Sequence, residues 1–117
     1  MSECEKTREF CLRLESVGAY IFPIVAHKRQ QPGWPDRYIS HVLWHGFVEF
    51  KDWKTPVQLN QRLRLREMNR RQPGSAWVAR FSEVGYGIDL EDPNGVVIAS
   101  CDSDDPKTFL SLCGMKR

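Results

Sequence analysis

Apolar and polar positions along this chain follow two periods, and the switches between them mark its elements. Over residues 3–17, Phe10, Leu12, Leu14 and Val17 stand among charged residues and Gly18 follows, so an amphipathic first helix capped by that glycine is expected. Residues 19–26 are aromatic and β-branched (Tyr20, Ile21, Phe22, Ile24, Val25), which predicts a strand, and Pro23 restricts it to an edge or a bulge. The stretch 27–35 holds Lys28, Arg29, two prolines and a glycine, the composition of an exposed loop able to meet a charged partner.

Two β-prone runs, 36–43 and 47–51, flank Trp44-His45-Gly46 and read as a hairpin that turns there. Thr55-Pro56 has the form of an N-cap followed by proline at the first helical position, with Gln58 at the capping-box position. A helix is therefore predicted over 56–71, with Val57, Leu63, Leu65 and Met68 as its apolar positions and Gln72-Pro73-Gly74 as its stop. Residues 76–81 form another strand candidate, 83–90 and 96–101 a second hairpin through Asp92-Pro93-Asn94-Gly95, and 106–113 a short final helix. There is no internal repeat. The order helix, three strands, helix, strand predicts an α/β fold: an αβββαβ core with a mixed central sheet, the 56–71 helix crossing between two strands, and a C-terminal hairpin plus short helix as peripheral additions.

A chain of 117 residues fits one domain, and 41% hydrophobic with 27% charged residues is a globular balance that excludes disordered and fibrous classes. No run approaches the roughly 20 apolar residues of a membrane span, and residues 1–9 carry charges where a signal peptide is apolar, so a soluble, cytoplasmic protein with no membrane partner is expected. Cys4, Cys11, Cys101 and Cys113 lack C-x-x-C spacing, which favours reduced thiols over a zinc site or a disulfide framework. His41 and His45 are read as structural. A net charge of +2 identifies no partner, but its distribution is uneven: Lys54, Arg62, Arg64, Arg66, Arg70 and Arg71 are opposed only by Glu67, whereas 91–105 is acidic. One cationic face is expected, with Lys54, Arg62 and Arg66, and Lys28 and Arg29 of the loop, as candidate phosphate contacts.

The candidate chemistry lies in the first hairpin. Glu49 and Lys51 are two apart, so on a strand they share a face while Phe50 takes the other. Asp36 opens the partner strand, 13 residues before Glu49, and the pairing can bring all three together. Phosphodiester hydrolysis requires hard oxygen ligands for Mg²⁺ or Mn²⁺, an activated water, and positive charge where negative charge develops. Asp36 and Glu49 are candidate ligands, and Lys51 the candidate group for positioning or deprotonating the water or for stabilising the transition state. An isolated E-x-K on a strand is usually a solvated charge pattern. Its place after Gly33-Trp34-Pro35-Asp36 and before a basic helix makes it specific.

These residues resemble the PD-(D/E)xK nuclease superfamily and, within it, the VRR-NUC family. Gly33-Trp34-Pro35-Asp36 resembles the G-x-P-D element, Val48-Glu49-Phe50-Lys51 the E-x-K strand, Thr55-Pro56-Val57-Gln58 the S-P-x-Q helix start, and Ser2-Glu3 the N-terminal acidic position. The resemblance spans residues 2 to about 80 and leaves 82–117 unmatched. It implies a restriction-endonuclease-like core, Mg²⁺ or Mn²⁺, a DNA substrate and, for short stand-alone members of the kind found in phage genomes, a homodimer that cuts branched DNA such as a Holliday junction. It also implies a site glutamine, for which the S-P-x-Q pattern selects Gln58 and the spacing from the lysine selects Gln61; both are kept, with Gln58 ahead. The N-terminal acid is Glu3 or Glu5, and a dipole-driven excess of acids at a helix start accounts for either equally well. The competing readings are a non-catalytic DNA-binding module of the same fold, and a nuclease subunit that acts on RNA or needs a partner.

Overall fold

The computed structural model describes residues 1–24 and 35–115. Three helices, α1 (Glu3–Ser16), α2 (Leu59–Arg71) and α3 (Pro106–Met115), accompany six strands: β1 (Tyr20–Pro23), β2 (Arg37–Ser40), β3 (His45–Lys51), β4 (Ala76–Phe81), β5 (Gly87–Glu91) and β6 (Val97–Asp102). The strands form one sheet in sequence order, antiparallel everywhere except between β3 and β4, which are parallel and joined by α2. The mixed α/β architecture is the one the hydrophobic pattern predicts, with α2 as the crossover.

Strand alternation sorts side chains to two faces. Val48 and Phe50 of β3, Trp77, Ala79 and Phe81 of β4, and Ile88 and Leu90 of β5 meet Phe10 and Leu14 of α1 and Phe109, Leu110 and Cys113 of α3 in the main core. Phe10 stands edge-on to Phe50, Phe81 and Phe109 at centroid distances of 6.1, 6.4 and 5.0 Å, a geometry that aligns ring edges with ring faces. The opposite face carries a small second cluster of Val57, Leu65, Ala76 and Val78 under α2. Glu49 and Lys51 fall on that second face.

Several local expectations change. The first turn lies at His41–Trp44, where His41 and Trp44 exchange both backbone hydrogen bonds, and His45-Gly46 belongs to β3 instead. Gly46 is needed for space, not for a turn: a Cβ there would lie 2.4 Å from the Trp44 ring and 2.5 Å from the Ser75 carbonyl oxygen. Helix α2 starts at Leu59 with Gln58 as N-cap, not at Thr55-Pro56. The Arg80 guanidinium takes the Thr55 carbonyl and Val57 is drawn into the second cluster, so this stretch stays outside the helix. Strand β5 begins at Gly87 rather than at 83, and the β5–β6 hairpin is integral to the sheet, because β4 pairs with β5 and buries Ile88 and Leu90. Its turn is the expected one: Asp92 Oδ1 accepts from the Asn94 and Val96 amides, and Gly95 adopts φ +87°. Pro23 sits on β1, the sheet edge, as its missing N–H requires.

The packing sets a stability contrast within one helix. Phe10→Ala should lower unfolding free energy by about 3–5 kcal/mol through a cavity in the main core, while Leu12→Ala, at an exposed position, should change it by less than about 0.5 kcal/mol. Chemical denaturation of both variants checks this, and a Phe10→Ala cost near that of Leu12→Ala would contradict the packing.

Candidate active site

The site is built by the β2–β3 register. Arg37 pairs with Val48, so Asp36, one residue before β2, continues the ladder opposite Glu49. Asp36 takes part in it with its side chain, Oδ2 accepting the Phe50 N–H at 2.9 Å. Lys51, two residues beyond Glu49, returns to the same face, with Nζ 3.7 Å from Glu49 Oε1. The three residues expected at the centre are thus brought together on the α2 face of the sheet.

Glu49 is almost wholly buried, at 3% exposed, beside the small apolar cluster. Its Oε1 accepts a hydrogen bond from Gln61 Nε2 at 2.9 Å, whereas Oε2 is buried with no hydrogen-bond partner among the described residues. Burial pushes the Glu49 carboxyl up to about 8; the Asp36 carboxylate adds to this, and the Lys51 ammonium opposes it. Asp36 is raised as well, by burial first, against the Phe50 amide and the Arg37 and Lys51 charges. Two carboxylates are held together where neither is well solvated.

Of the two candidate glutamines, Gln61 is the one brought to Glu49. Gln61 donates to Glu49 and its Oε1 accepts the Gln58 N–H at 3.0 Å, so one side chain ties β3 to the helix start. Gln58, placed slightly ahead from the sequence, is the exposed N-cap of α2 and does not reach Glu49, whereas Gln61, in the first turn, does. Glu3 and Glu5 separate similarly. Glu3 Oε1 accepts the Asp52 N–H at 2.7 Å, just past Lys51, and its charge reaches both Asp36 and Glu49, whereas Glu5 interacts with the N-cap Ser2.

Among the described residues no three His, Cys, Asp or Glu side chains gather closely enough to form a metal cage by themselves. The pair Asp36 and Glu49 nevertheless fits a divalent cation. Both offer hard oxygens, their repulsion would be relieved by positive charge, and Glu49 Oε2 is a buried acceptor with an unmet demand. Mg²⁺ is commonly held by one or two carboxylates with water in its other positions.

Arg80 is a residue that sequence reasoning missed. It lies beside Lys51 in the β3–β4 ladder; its Nη1 donates to the Asp52 and Thr55 carbonyls at 2.8 and 2.7 Å, and its Nε donates to buried Glu91. The loop leaving Lys51 is fixed by this clamp. The available signal was an arginine inside the otherwise apolar strand Ala76–Phe81, a position that demands a buried partner.

The cationic candidates divide. Lys54 and Arg66 are exposed. Arg62 instead donates to the Pro93 carbonyl at 3.3 Å and packs against Gly95, because the β5–β6 turn folds back over α2; it is a structural contact rather than a solvated one. Arg70 and Arg71 both pair with Glu67. Lys28, Arg29 and Gly33-Trp34 lie outside the described residues. Of the two described histidines, His41 bridges the Val17 carbonyl and the Leu43 amide, and His45 Nδ1 is 3.1 Å from the Tyr38 hydroxyl; His27 lies outside the described residues. No helix among the described residues is long and apolar enough to cross a membrane.

No family model matches this chain, and no curated protein sequence does. Among solved structures it is similar to Hjc of Archaeoglobus fulgidus, a Holliday junction resolvase from an archaeal hyperthermophile, with a TM-score of 0.63 and 12% identity over 95% of this chain and 99% of that one. At that identity the likeness is one of fold, and it extends over nearly the whole of both chains.

Proposed function

We propose that the protein is a divalent-metal-dependent nuclease acting on structured DNA. The observation that carries this reading is the pair of half-buried Asp36 and buried Glu49 with Lys51 on the same face, in the interior of a sheet whose fold is shared with a resolvase of four-way junctions. The similarity of Gly33-Trp34-Pro35-Asp36 and Glu49-Phe50-Lys51 to the PD-(D/E)xK pattern supports it further.

In this reading Asp36 and Glu49 hold Mg²⁺ or Mn²⁺. The cation supplies Lewis-acid polarisation of the phosphate and a more acidic water. Gln61 orients Glu49 through its amide, leaving Oε2 for the metal. Lys51, at 12% side-chain exposure, places its ammonium where the phosphate oxygens gain charge as water adds to phosphorus and the P–O bond to the leaving oxygen breaks. Glu3 steadies the Asp52 amide behind it. Lys54 and Arg66 supply salt-sensitive phosphate contacts without base readout. Tyr20 and Phe22, exposed on edge strand β1 and continuous with Tyr38, offer an aromatic surface for a second copy of the chain.

Cleavage of single-stranded, duplex, flap and four-way-junction DNA with Mg²⁺, Mn²⁺ or chelator tests the reading. Metal-dependent cutting should fall by roughly 10²-fold or more in Asp36→Asn and in Lys51→Ala, with the fold intact by circular dichroism. A protein that cuts none of these substrates with either metal, or an Asp36→Asn variant at full rate, refutes it.

Stability offers a test independent of turnover. Glu49 binds its proton more tightly folded than unfolded, so between about 4.5, its ordinary value, and about 8 the native state holds more protons. In chelator the parent should lose stability as pH rises through that window, by roughly a few kcal/mol. Glu49→Gln should flatten the dependence and melt higher than the parent at pH 8, and added Mn²⁺ should raise the melting temperature of the parent but not of the variant. A parent protein whose stability is flat from pH 5 to 8 would show that Glu49 is not held as described.

A further inference from the structure

Beyond the carboxylate pair, the structure holds a cavity of about 410 Å³ between α1 and the turn joining β4 to β5, a size within the roughly 300–1,000 Å³ range of small-ligand sites. Trp53, Tyr86, Lys6 and Arg13 line it. It opens at the loop leaving the catalytic strand. Trp53 is two residues after Lys51, a reach of at most about 7 Å along the backbone, and the loop carbonyls are fixed by Arg80.

The charges on its walls select the ligand. Lys6 is paired with Asp52 at 2.6 Å, and Arg13 is engaged by Ser103 Oγ at 3.3 Å and Asp104 at 3.7 Å. Glu9 and Glu83 add negative charge to the lining. A phosphate or carboxylate would meet cations already neutralised, and two acids with no ion pair among the described residues as well. The aromatic groups point the other way: Trp53 and Tyr86 remain 42% and 58% exposed, each with a cation near its ring, Lys54 Nζ at 5.4 Å and Arg13 at 5.8 Å. Such a cavity suits a neutral, planar, aromatic group with a hydrogen-bonding edge, which gains stacking without having to displace ion pairs.

We propose that this cavity takes an unpaired nucleobase of the DNA strand that runs through the catalytic site. It rests on the DNA reading above and sharpens it. A base within a duplex enters only after unstacking and unpairing, at a free-energy cost, so the cavity favours a substrate that already presents an unpaired nucleotide near the scissile phosphate, as a flap, a bulge or a single strand does. The recognition is of structure rather than sequence, because every base has a face to stack.

The test is binding in chelator, where no cleavage occurs, of three labelled DNAs: a duplex with one unpaired adenine, the same duplex with an abasic residue in its place, and a fully paired duplex. The parent protein should bind the first more tightly than the second by on the order of tenfold. Trp53→Ala and Tyr86→Ala, on different elements and both at exposed positions, should each reduce that preference severalfold and leave affinity for the paired duplex unchanged, with melting temperatures confirming that both fold. Equal affinity of the parent for the base-bearing and abasic duplexes, or a preference that survives both substitutions, overturns the proposal even if the protein cleaves DNA. A preference without any metal-dependent cleavage upholds the cavity and removes the nuclease reading instead, and failure to bind any DNA overturns both.

Discussion

A carboxylate at 3% exposure, with one oxygen lacking any donor, is the constraint around which this structure is organised. Burying an ionisable group costs free energy unless it is paired or neutralised, and the Asp36 carboxylate opposite makes the charged state of Glu49 harder still. Lys51 at 3.7 Å and the single Gln61 hydrogen bond offset part of that cost and leave Oε2 unsatisfied. A chain selected only for stability would place an apolar side chain here. Retaining two mutually repelling acids on the inner strands of a sheet fits the proposed site, which a cation would complete.

The stability that tolerates this comes from the other side of the sheet. The phenylalanine cluster around Phe10 joins α1 and α3 to the centre of the sheet, while the face bearing Glu49 has only a small cluster under α2. The parallel β3–β4 pair makes the arrangement possible, because its crossover must carry a helix over the face that holds Glu49 and so delivers Gln61. The same pairing sets Arg80 beside Lys51, and its hydrogen bonds anchor the following loop at the Asp52 and Thr55 carbonyls. That loop carries Trp53, which lines the cavity, so the proposed catalytic site and the aromatic pocket share one anchored loop.

Similarity to the archaeal resolvase over nearly its full length at 12% identity shows how little of such a fold depends on particular residues. Strand alternation, a crossover helix and an aromatic core reproduce the architecture. The proposed chemistry would depend on far fewer positions, two acids and an amine in fixed register.

How much was legible in the chain alone follows from the range of the interactions involved. Helix and strand periods, the Asp92-Pro93-Asn94-Gly95 turn and the shared face of Glu49 and Lys51 are set by neighbours within a few residues, and the sequence determined them directly. Placing Asp36 opposite Glu49 needed only the adjacent hairpin. The start of α2, and with it the choice of Gln61 over Gln58, was decided when Arg80, 25 residues away, took the Thr55 carbonyl. The position of the first turn was decided by Trp44 and Ser75 closing on Gly46, and the loss of Arg62 as a free cation by the β5–β6 turn folding over α2. Those outcomes depend on which distant groups meet across the sheet, and local propensity carries no record of such meetings; only the tertiary structure, by bringing the partners together, determined them.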